Sequence, residues 1–331
     1  MVLISSSPDD YSTNEVIEWL IENKKNFLRV SENDKMVLKS INLNEEGKVS
    51  YEIKFNNNEY SFTQDNSYWY RRGHVNFMNQ IKDLNFSNQT KNIINSEQRL
   101  KSYLHDELEE LGILFNLFQG EKYNSKAIGC YFNNFTVKIE NLFLAKEIGL
   151  KIPNTTVTSD KKKAIEFSEK CLTGIISKAI RNGIGIYNEE FAYEGLTKEI
   201  NKSDLSDLSD FFFPMLLQEK IDKIFEIRSF YLNKKFYTSA IFSQNDEKTA
   251  MDFRNYNESK PNRTPPFKLP NEIENKLIQL FEKLGMSSGS IDLIYNTSGE
   301  YIFLEVNPIG QFSQVSRPCN YYLEEIIANE L

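Results

Sequence analysis

The chain is poor in the residues that most often announce a chemistry. Three cysteines in 331 residues, Cys130, Cys171 and Cys319, are odd in number and far apart, so neither a disulfide framework nor a zinc knuckle is expected and three free thiols are read instead. Two histidines, His74 and His105, leave little room for a catalytic triad or a histidine-rich metal centre, and both are assigned surface or structural roles. No stretch approaches the roughly 18–20 apolar residues of a membrane span. The opening apolar run, Met1 to Ser7, is too short for a signal peptide and has no basic leading segment, so the chain is expected to stay in the cytoplasm. Basic clusters are missing beyond Lys161-Lys162-Lys163 and the net charge is −8, which argues against nucleic acid as a partner. A Walker phosphate loop is absent. The loop Arg181-Asn182-Gly183-Ile184-Gly185 could approach a phosphate but lacks the third glycine of a dinucleotide fingerprint.

What is present is an ordinary globular composition, 40% hydrophobic, in a chain long enough for two or three domains. Residues 2–7 read as a buried strand, residues 12–23 as a helix with Val16, Ile17, Leu20 and Ile21 on one side, and residues 27–30 as a second strand, an order that implies a parallel pair in a small α/β domain. Residues 48–55 and 59–63 flank Asn56-Asn57-Asn58 as a hairpin. The aromatic and basic stretch Tyr68-Trp69-Tyr70-Arg71-Arg72-Gly73 reads as core with exposed arginines in preference to a ligand site, and a helix spans residues 97–119.

Further on, Thr136 is expected to cap a helix that runs to Ile148 and stops at Gly149. A strand over 155–157, a helix over 160–171 and a strand over 174–180 that presents Lys178 follow. Residues 204–210 are polar and repetitive, a linker or a capped helical turn, and mark a boundary. Beyond it, residues 211–221 are apolar and end in Gln218-Glu219-Lys220-Ile221. A hairpin turns at Asn233-Lys234-Lys235, and its first strand carries Glu226, Arg228 and Phe230 on one face. Asp252 and Arg254 share a face by the same period, residues 261–270 read as a loop, and residues 272–284 as an amphipathic helix.

Two carboxylates and an amide then fall on one hairpin: Asp292, and Glu305 with Asn307, on apolar strands about the turn Asn296-Thr297-Ser298-Gly299. Folding the chain there places Asp292 opposite Phe303, on the face that also carries Glu305 and Asn307. Diagonal neighbours on such a face lie about 7–8 Å apart, near enough for both acids to reach one cation. Hard oxygen donors of this kind suit Mg²⁺ shared with phosphates better than zinc or iron. An ordinary hairpin with solvated acids has the same spacing. The large apolar residues around each acid argue for burial, which is costly for a carboxylate without a compensating cation or partner.

In order, Lys138, Lys178, Gln218-Glu219-Lys220-Ile221, Glu226-Ile227-Arg228, Asp252-Phe253-Arg254, Asp292 and Glu305-Val306-Asn307 resemble the ATP-grasp superfamily over residues 135–311. The segment Glu305-Val306-Asn307-Pro308-Ile309-Gly310-Gln311, the Trp69 to Arg72 tetrad and the Asp10-Tyr11-Ser12-Thr13 opening look like the graspetide, or microviridin-type, peptide maturases, in the grasp-with-spasm branch. The ribosomal-protein glutamate ligases share Asp-Phe-Arg and Glu-Val-Asn, but there small residues usually follow, whereas Pro308 stands directly after Asn307 here.

The resemblance implies an α/β fold of the α+β ATP-grasp kind. A small Rossmann-like α/β domain would cover residues 1–122, a central α+β subdomain residues 123–206, and a C-terminal antiparallel-sheet subdomain residues 207–331, with the ATP cleft between the last two. It implies ATP and Mg²⁺, with Lys138 and Lys178 on the α and β phosphates, the backbone of Gln218, Glu219, Lys220 and Ile221 on adenine, Glu226 on the ribose, and Asp292, Glu305 and Asn307 on the metal. Arg228 and Arg254 are expected to clamp the γ-phosphate and the substrate carboxylate, since guanidinium offers both a bidentate fork.

The implied activity is macrocyclisation of a ribosomally made precursor peptide: Asp or Glu side chains become acyl phosphates and are attacked by a Thr or Ser hydroxyl, giving an ester, or by a Lys amine, giving an amide. A precursor with a leader and a Thr-, Asp- and Glu-rich core is the implied partner, and a homodimer is compatible with the resemblance. The acidic, aromatic stretch Tyr187-Asn188-Glu189-Glu190-Phe191-Ala192-Tyr193-Glu194 is either a leader-binding edge or an exposed hairpin. An amino-acid ligase of the ribosomal-protein glutamate ligase type and a non-catalytic nucleotide-binding regulator are the alternatives.

Overall fold

The computed structural model describes the chain apart from residues 74, 76, 78–85, 182, 184, 189–191, 196, 247, 248, 250–256 and 258, and the side chains of 187 and 192–194. The expectations for His74, Asp252 and Arg254, and for part of the 187–194 stretch, lie outside the described residues. The chain forms two compact units. The first comprises residues 1–135, 285–288 and 322–331, and the second residues 136–284 and 289–321.

In the first unit, β1 (Val2–Ser5) is buried along its whole length and pairs in parallel with β2 (Phe27–Val30). Between them the helix Tyr11–Glu22 starts where Asp10 accepts the Thr13 N–H at 3.3 Å, and it buries Val16 and Leu20, one turn apart. Strands β3 (Met36–Leu43), β4 (Val49–Phe55) and β5 (Asn58–Thr63) make an antiparallel meander. Its second turn is the two-residue Asn56-Asn57 connection, both at positive φ, a conformation asparagine tolerates better than most residues. β6 (Ser67–Tyr70) lies parallel on the other side of β1, and β7 (Ala127–Ile128) closes the sheet in the order β2-β1-β6-β7.

The core of this unit is aromatic. Tyr51 stacks on Phe62 at 5.7 Å and meets Phe115 of the helix Gln98–Gln119 edge-on at 5.2 Å. Two later segments complete it. The helix Leu323–Glu330 packs on Tyr11–Glu22, where Lys25 Nζ donates to the carbonyls of Ala328 and Asn329 at 2.9 and 3.1 Å and so neutralises the negative end of that helix. Residues 285–288 are tied in by Glu121, whose carboxylate accepts the Ser287 N–H at 3.1 Å, the Ser287 hydroxyl, and the Gly129 N–H at 2.5 Å.

The expectation of exposed arginines beside Tyr70 is half corrected. Arg72 is partly exposed, but Arg71 is buried because Asp10 supplies a counter-charge inside the fold.

The second unit carries a four-stranded and a five-stranded sheet. β8 (Thr155–Asp160), β9 (Ile175–Lys178), β12 (Lys198–Ile200) and β13 (Phe211–Glu219) run in the order β12-β9-β13-β8, while β10 (Gly185–Tyr187) and β11 (Ala192–Glu194) form a separate hairpin. One face of the four-stranded sheet is covered by the helix Lys161–Lys170, capped by Asp160, and by Lys202–Ser206, which opens on an Asn201/Asp204 capping box.

The second sheet holds β14 (Lys223–Leu232), β15 (Lys235–Ile241), β16 (Pro266–Phe267), β17 (Ser288–Asn296) and β18 (Tyr301–Asn307) in the order β16-β15-β14-β17-β18. The helix Asn271–Leu284 buries Leu277, Leu280 and Phe281, and Phe281 stacks on Tyr231 of β14. Thr136 is not a cap: the helix Lys138–Glu147 begins after Val137 without a side-chain cap bond, so Lys138 stands at its first position. Among the described residues no helix is long and apolar enough to cross a membrane.

Candidate functional site

In the second unit the face of the four-stranded sheet turned away from the helices meets β14, β17 and β18 across a cleft that opens to solvent. Lys178 and Ile176 of β9, Gln218 and Glu219 of β13, Ile221, Glu226 of β14, Asp292 of β17 and Glu305 of β18 all line it. Alternation puts them there. Lys178 and Ile176 stand opposite Leu216 and Gln218 in the β9/β13 ladder, so all four share the face turned away from the helices.

The acidic hairpin does not have the register expected of it. Asn296 N–H bonds Glu300 O, which makes the connection three residues long with Gly299 at positive φ, and Leu293 pairs with Phe303. A bulge at Leu304 then adds one more residue to β18, and Asp292 lies directly opposite Glu305, not Phe303. Each step moves the side chains to the other face, so the two together restore the expected face while bringing the acids closer than diagonal neighbours would be. Asn307, two residues on, donates from Nδ2 to Asp292 Oδ2 at 3.1 Å.

Both acids are met by cations of the chain. Arg228 Nη1 lies 3.0 and 3.1 Å from the two oxygens of Asp292, and its Nη2 donates to Gln311 Oε1 at 3.2 Å. Lys138 Nζ is 3.4 Å from Glu305 Oε2 and also donates to Ala179 O at 3.3 Å. The position of Lys138 at the start of its helix lets the side chain reach across to β18, which packs against that helix. Glu226 is paired with Lys223 in a nearly solvent-free ion pair.

At the other end of the cleft Gln218 is buried and donates from Nε2 to Thr155 Oγ1 at 3.0 Å. The Glu219 and Lys220 side chains are drawn away, Glu219 by Asn154 and Lys220 by Glu199. Their N–H groups donate to Asn154 O and Gly174 O.

The structure therefore gathers Lys138, Lys178, Gln218, Glu219, Ile221, Glu226, Arg228, Asp292, Glu305 and Asn307 about one cleft or onto each other. It turns the Lys220 side chain outward, and Arg254 lies outside the described residues. Two participants carried no role from sequence. Lys223 was hidden because residues three apart in a strand ordinarily face opposite ways. Gln311 reaches Arg228 through a turn at Gly310 (φ 62°), where a Cβ would stand 2.7 Å from Phe230 and 3.1 Å from the Gly289 backbone, so the glycine itself was the available signal.

No protein-family model and no curated protein matches the sequence. Solved structures do. A RiPP-associated ATP-grasp ligase from Chryseobacterium gregarium, in complex with ADP and a leader and core peptide, is 24% identical with a TM-score of 0.76, the alignment covering 99% of this chain and 95% of that one. The chain has the ATP-grasp ligase fold. The macrocyclase MdnC bound with precursor peptide MdnA, from Microcystis aeruginosa MRC, is 23% identical with a TM-score of 0.70 over 99% of this chain and 98% of that chain. The ATP-grasp ligase PsnB, complexed with a minimal precursor, Mg and ADP, is 14% identical with a TM-score of 0.69 over 99% and 95%.

Proposed function

We propose that the protein is an ATP-dependent ligase that macrocyclises a ribosomally made precursor peptide. The observation that carries this reading is the meeting of Asp292, Glu305 and Asn307 with Arg228 and Lys138 beside one cleft, in a chain that aligns over 99% of its length with a ligase solved with ADP and a leader and core peptide. Two carboxylates and an amide oxygen are a hard donor set, and among the described residues no histidine or cysteine lines the cleft, so the residues fit Mg²⁺. In this reading Asp292, Glu305 and Asn307 hold the metal, which neutralises phosphate charge. Lys138 and Lys178 bind the α and β phosphates, Gln218 to Ile221 receive adenine along the backbone, and Glu226 takes the ribose. The two sheets of the second unit are read as the walls of the nucleotide cleft, one built from β8, β9 and β12 of residues 123–206 together with β13 from beyond residue 206, the other wholly from residues 207–331.

The chemistry follows from charge. A substrate carboxylate oxygen attacks the γ-phosphorus, ADP leaves, and an acyl phosphate forms. A Thr or Ser hydroxyl or a Lys amine then attacks the acyl carbon, phosphate leaves, and the hydroxyl or amine proton is lost to solvent or a base. Bringing a carboxylate to a polyphosphate requires cations at both, and in this reading Arg228, whose Nη1 and Nη2 lie on different partners, takes the γ-phosphate and the carboxylate. Arg254 is assigned the second clamp by resemblance. The precursor's leader is assigned to residues 123–206 and the ATP-consuming reaction to the cytoplasm, and a homodimer is compatible with the resemblance.

The test is a full-chain reaction with ATP, Mg²⁺ and peptides that pair Asp or Glu with Thr, Ser or Lys, followed by mass spectrometry and ADP release. Loss of one water per ring is expected. Gain of an amino-acid residue would make it an amino-acid ligase, and nucleotide binding with no ADP release over all candidate peptides would leave a regulator.

A further inference from the structure

We infer that Lys138 and Arg228 act as exchangeable counter-ions that bar a divalent metal from Asp292 and Glu305 until nucleotide phosphates arrive to receive them. The inference rests on the nucleotide-ligase reading above and goes beyond it by assigning these two cations a role in metal loading itself.

Asp292 and Glu305 face each other directly across β17 and β18, a pairing of like charges that is unfavourable unless compensated. The chain supplies the compensation twice. Arg228 spans both oxygens of Asp292 at 3.0 and 3.1 Å, and Lys138 stands 3.4 Å from Glu305. Two anions and two cations balance.

A divalent ion that binds both carboxylates must displace the guanidinium and the ammonium, which then sit at a half-buried cleft beside a new double charge and next to Lys178. The metal alone thus gains two carboxylates at the cost of crowding cations. A polyphosphate changes the balance, because its oxygens accept Lys138 and Arg228 as they leave the acids. Arg228 is not cut loose meanwhile, since Gln311 still accepts from its Nη2 at 3.2 Å. Metal and nucleotide therefore bind with positive coupling, and by linkage each raises the affinity of the other by the same factor.

Lys138 is the residue to change. It is at the first position of a helix with its side chain about 26% exposed, so its loss leaves no buried orphan in the core. Mn²⁺ serves as the probe, titrated into the full chain and followed by the electron paramagnetic resonance of the free ion, with and without ADP. In the unsubstituted protein ADP should tighten Mn²⁺ binding by about fivefold or more, the lower end of ordinary coupling. Lys138→Met should bind Mn²⁺ alone about fivefold more tightly than the parent and gain less from ADP. Lys138→Arg, which keeps the charge, should bind Mn²⁺ alone no more tightly than the parent.

If Lys138→Met binds Mn²⁺ alone no more tightly than the parent while ADP-dependent Mn²⁺ binding persists in the parent, the counter-ion role is wrong and the nucleotide site stands. If neither protein shows ADP-dependent Mn²⁺ binding, the nucleotide reading fails and the inference falls with it.

Discussion

Asp10 in the first unit and Asp292 in the second each take a guanidinium at about 3 Å, yet their surroundings differ in one respect that separates architecture from chemistry. Asp10 is surrounded by its own chain: Arg71 and Arg72 at 3.2 and 3.0 Å, the Ser12 hydroxyl at 2.5 Å and the Thr13 N–H at 3.3 Å, with about 4% of its side chain exposed. Burial pushes its carboxyl up, but Arg71, the Ser12 hydroxyl, Arg72 and the Thr13 N–H together outweigh it and hold the group below the usual carboxylate value. Burial in turn pulls Arg71 down to about 10 against the attraction of Asp10. Such a pair caps a helix and fixes where β1 and β6 end. Asp292 has a comparable partner but looks onto a cleft, with a second acid opposite it and a second cation on that acid. A buried ion pair with every contact internal is structural; one that shares its acids with a cavity is available for exchange.

The largest effect is expected from Arg71→Met, which leaves buried Asp10 only the partly exposed Arg72 and its hydrogen bonds from Ser12 and Thr13, and should cost about 3 kcal/mol of stability in chemical denaturation. Arg228→Met should do the reverse. Product formation should fall by about two to three orders of magnitude, the loss typical when one transition-state donor is removed, while stability falls by less than in Arg71→Met because Asp292 keeps Asn307 and the cleft's solvent. Equal stability losses with retained turnover would erase the distinction.

Acid sharpens it further. With its folded value lowered, Asp10 contributes stability that is fully present above its ordinary value near 3.8 and is lost as pH falls below it. Asp10→Asn should therefore flatten the stability profile below about pH 4. The smallest effect is expected at Glu121. Burial raises its carboxyl above the ordinary 4.5, partly offset by the Ser287 hydroxyl and the Gly129 and Ser287 N–H groups. The stabilisation it gives is present below its ordinary value and declines as pH rises through the raised one, so Glu121→Gln should remove that shallow downward slope.

Legibility in the sequence followed periodicity and failed where the backbone broke it. The first strand–helix–strand of the chain could be read from its apolar residues, and the faces of β14 and β18 because Glu226 and Arg228, and Glu305 and Asn307, stand two residues apart. β3 escaped notice because its alternation, with Met36 and Leu38 buried, is interrupted at Lys39 by a register shift between Leu38 and Ser40. The hairpin of Asp292 and Glu305 shows the same limit: its face was readable, but a three-residue turn and a bulge at Leu304 set which residue lies opposite which. The helix Asn88–Ser96 has no buried residue, so no apolar stripe marks it. Ion pairs such as Arg71 with Asp10 or Lys223 with Glu226 depend on burial, which residue type alone does not disclose.

The helix Leu323–Glu330, which packs on Tyr11–Glu22 and receives Lys25, has a consequence for how the protein is made. Some three hundred residues separate the two helices, so during synthesis the opening segment waits, with the side on which Leu323, Ile327 and Ala328 will be buried still uncovered, until residues 323–330 clear the ribosome. Completion of the first unit is thereby tied to the synthesis of residues that lie beyond the whole of the second unit in sequence.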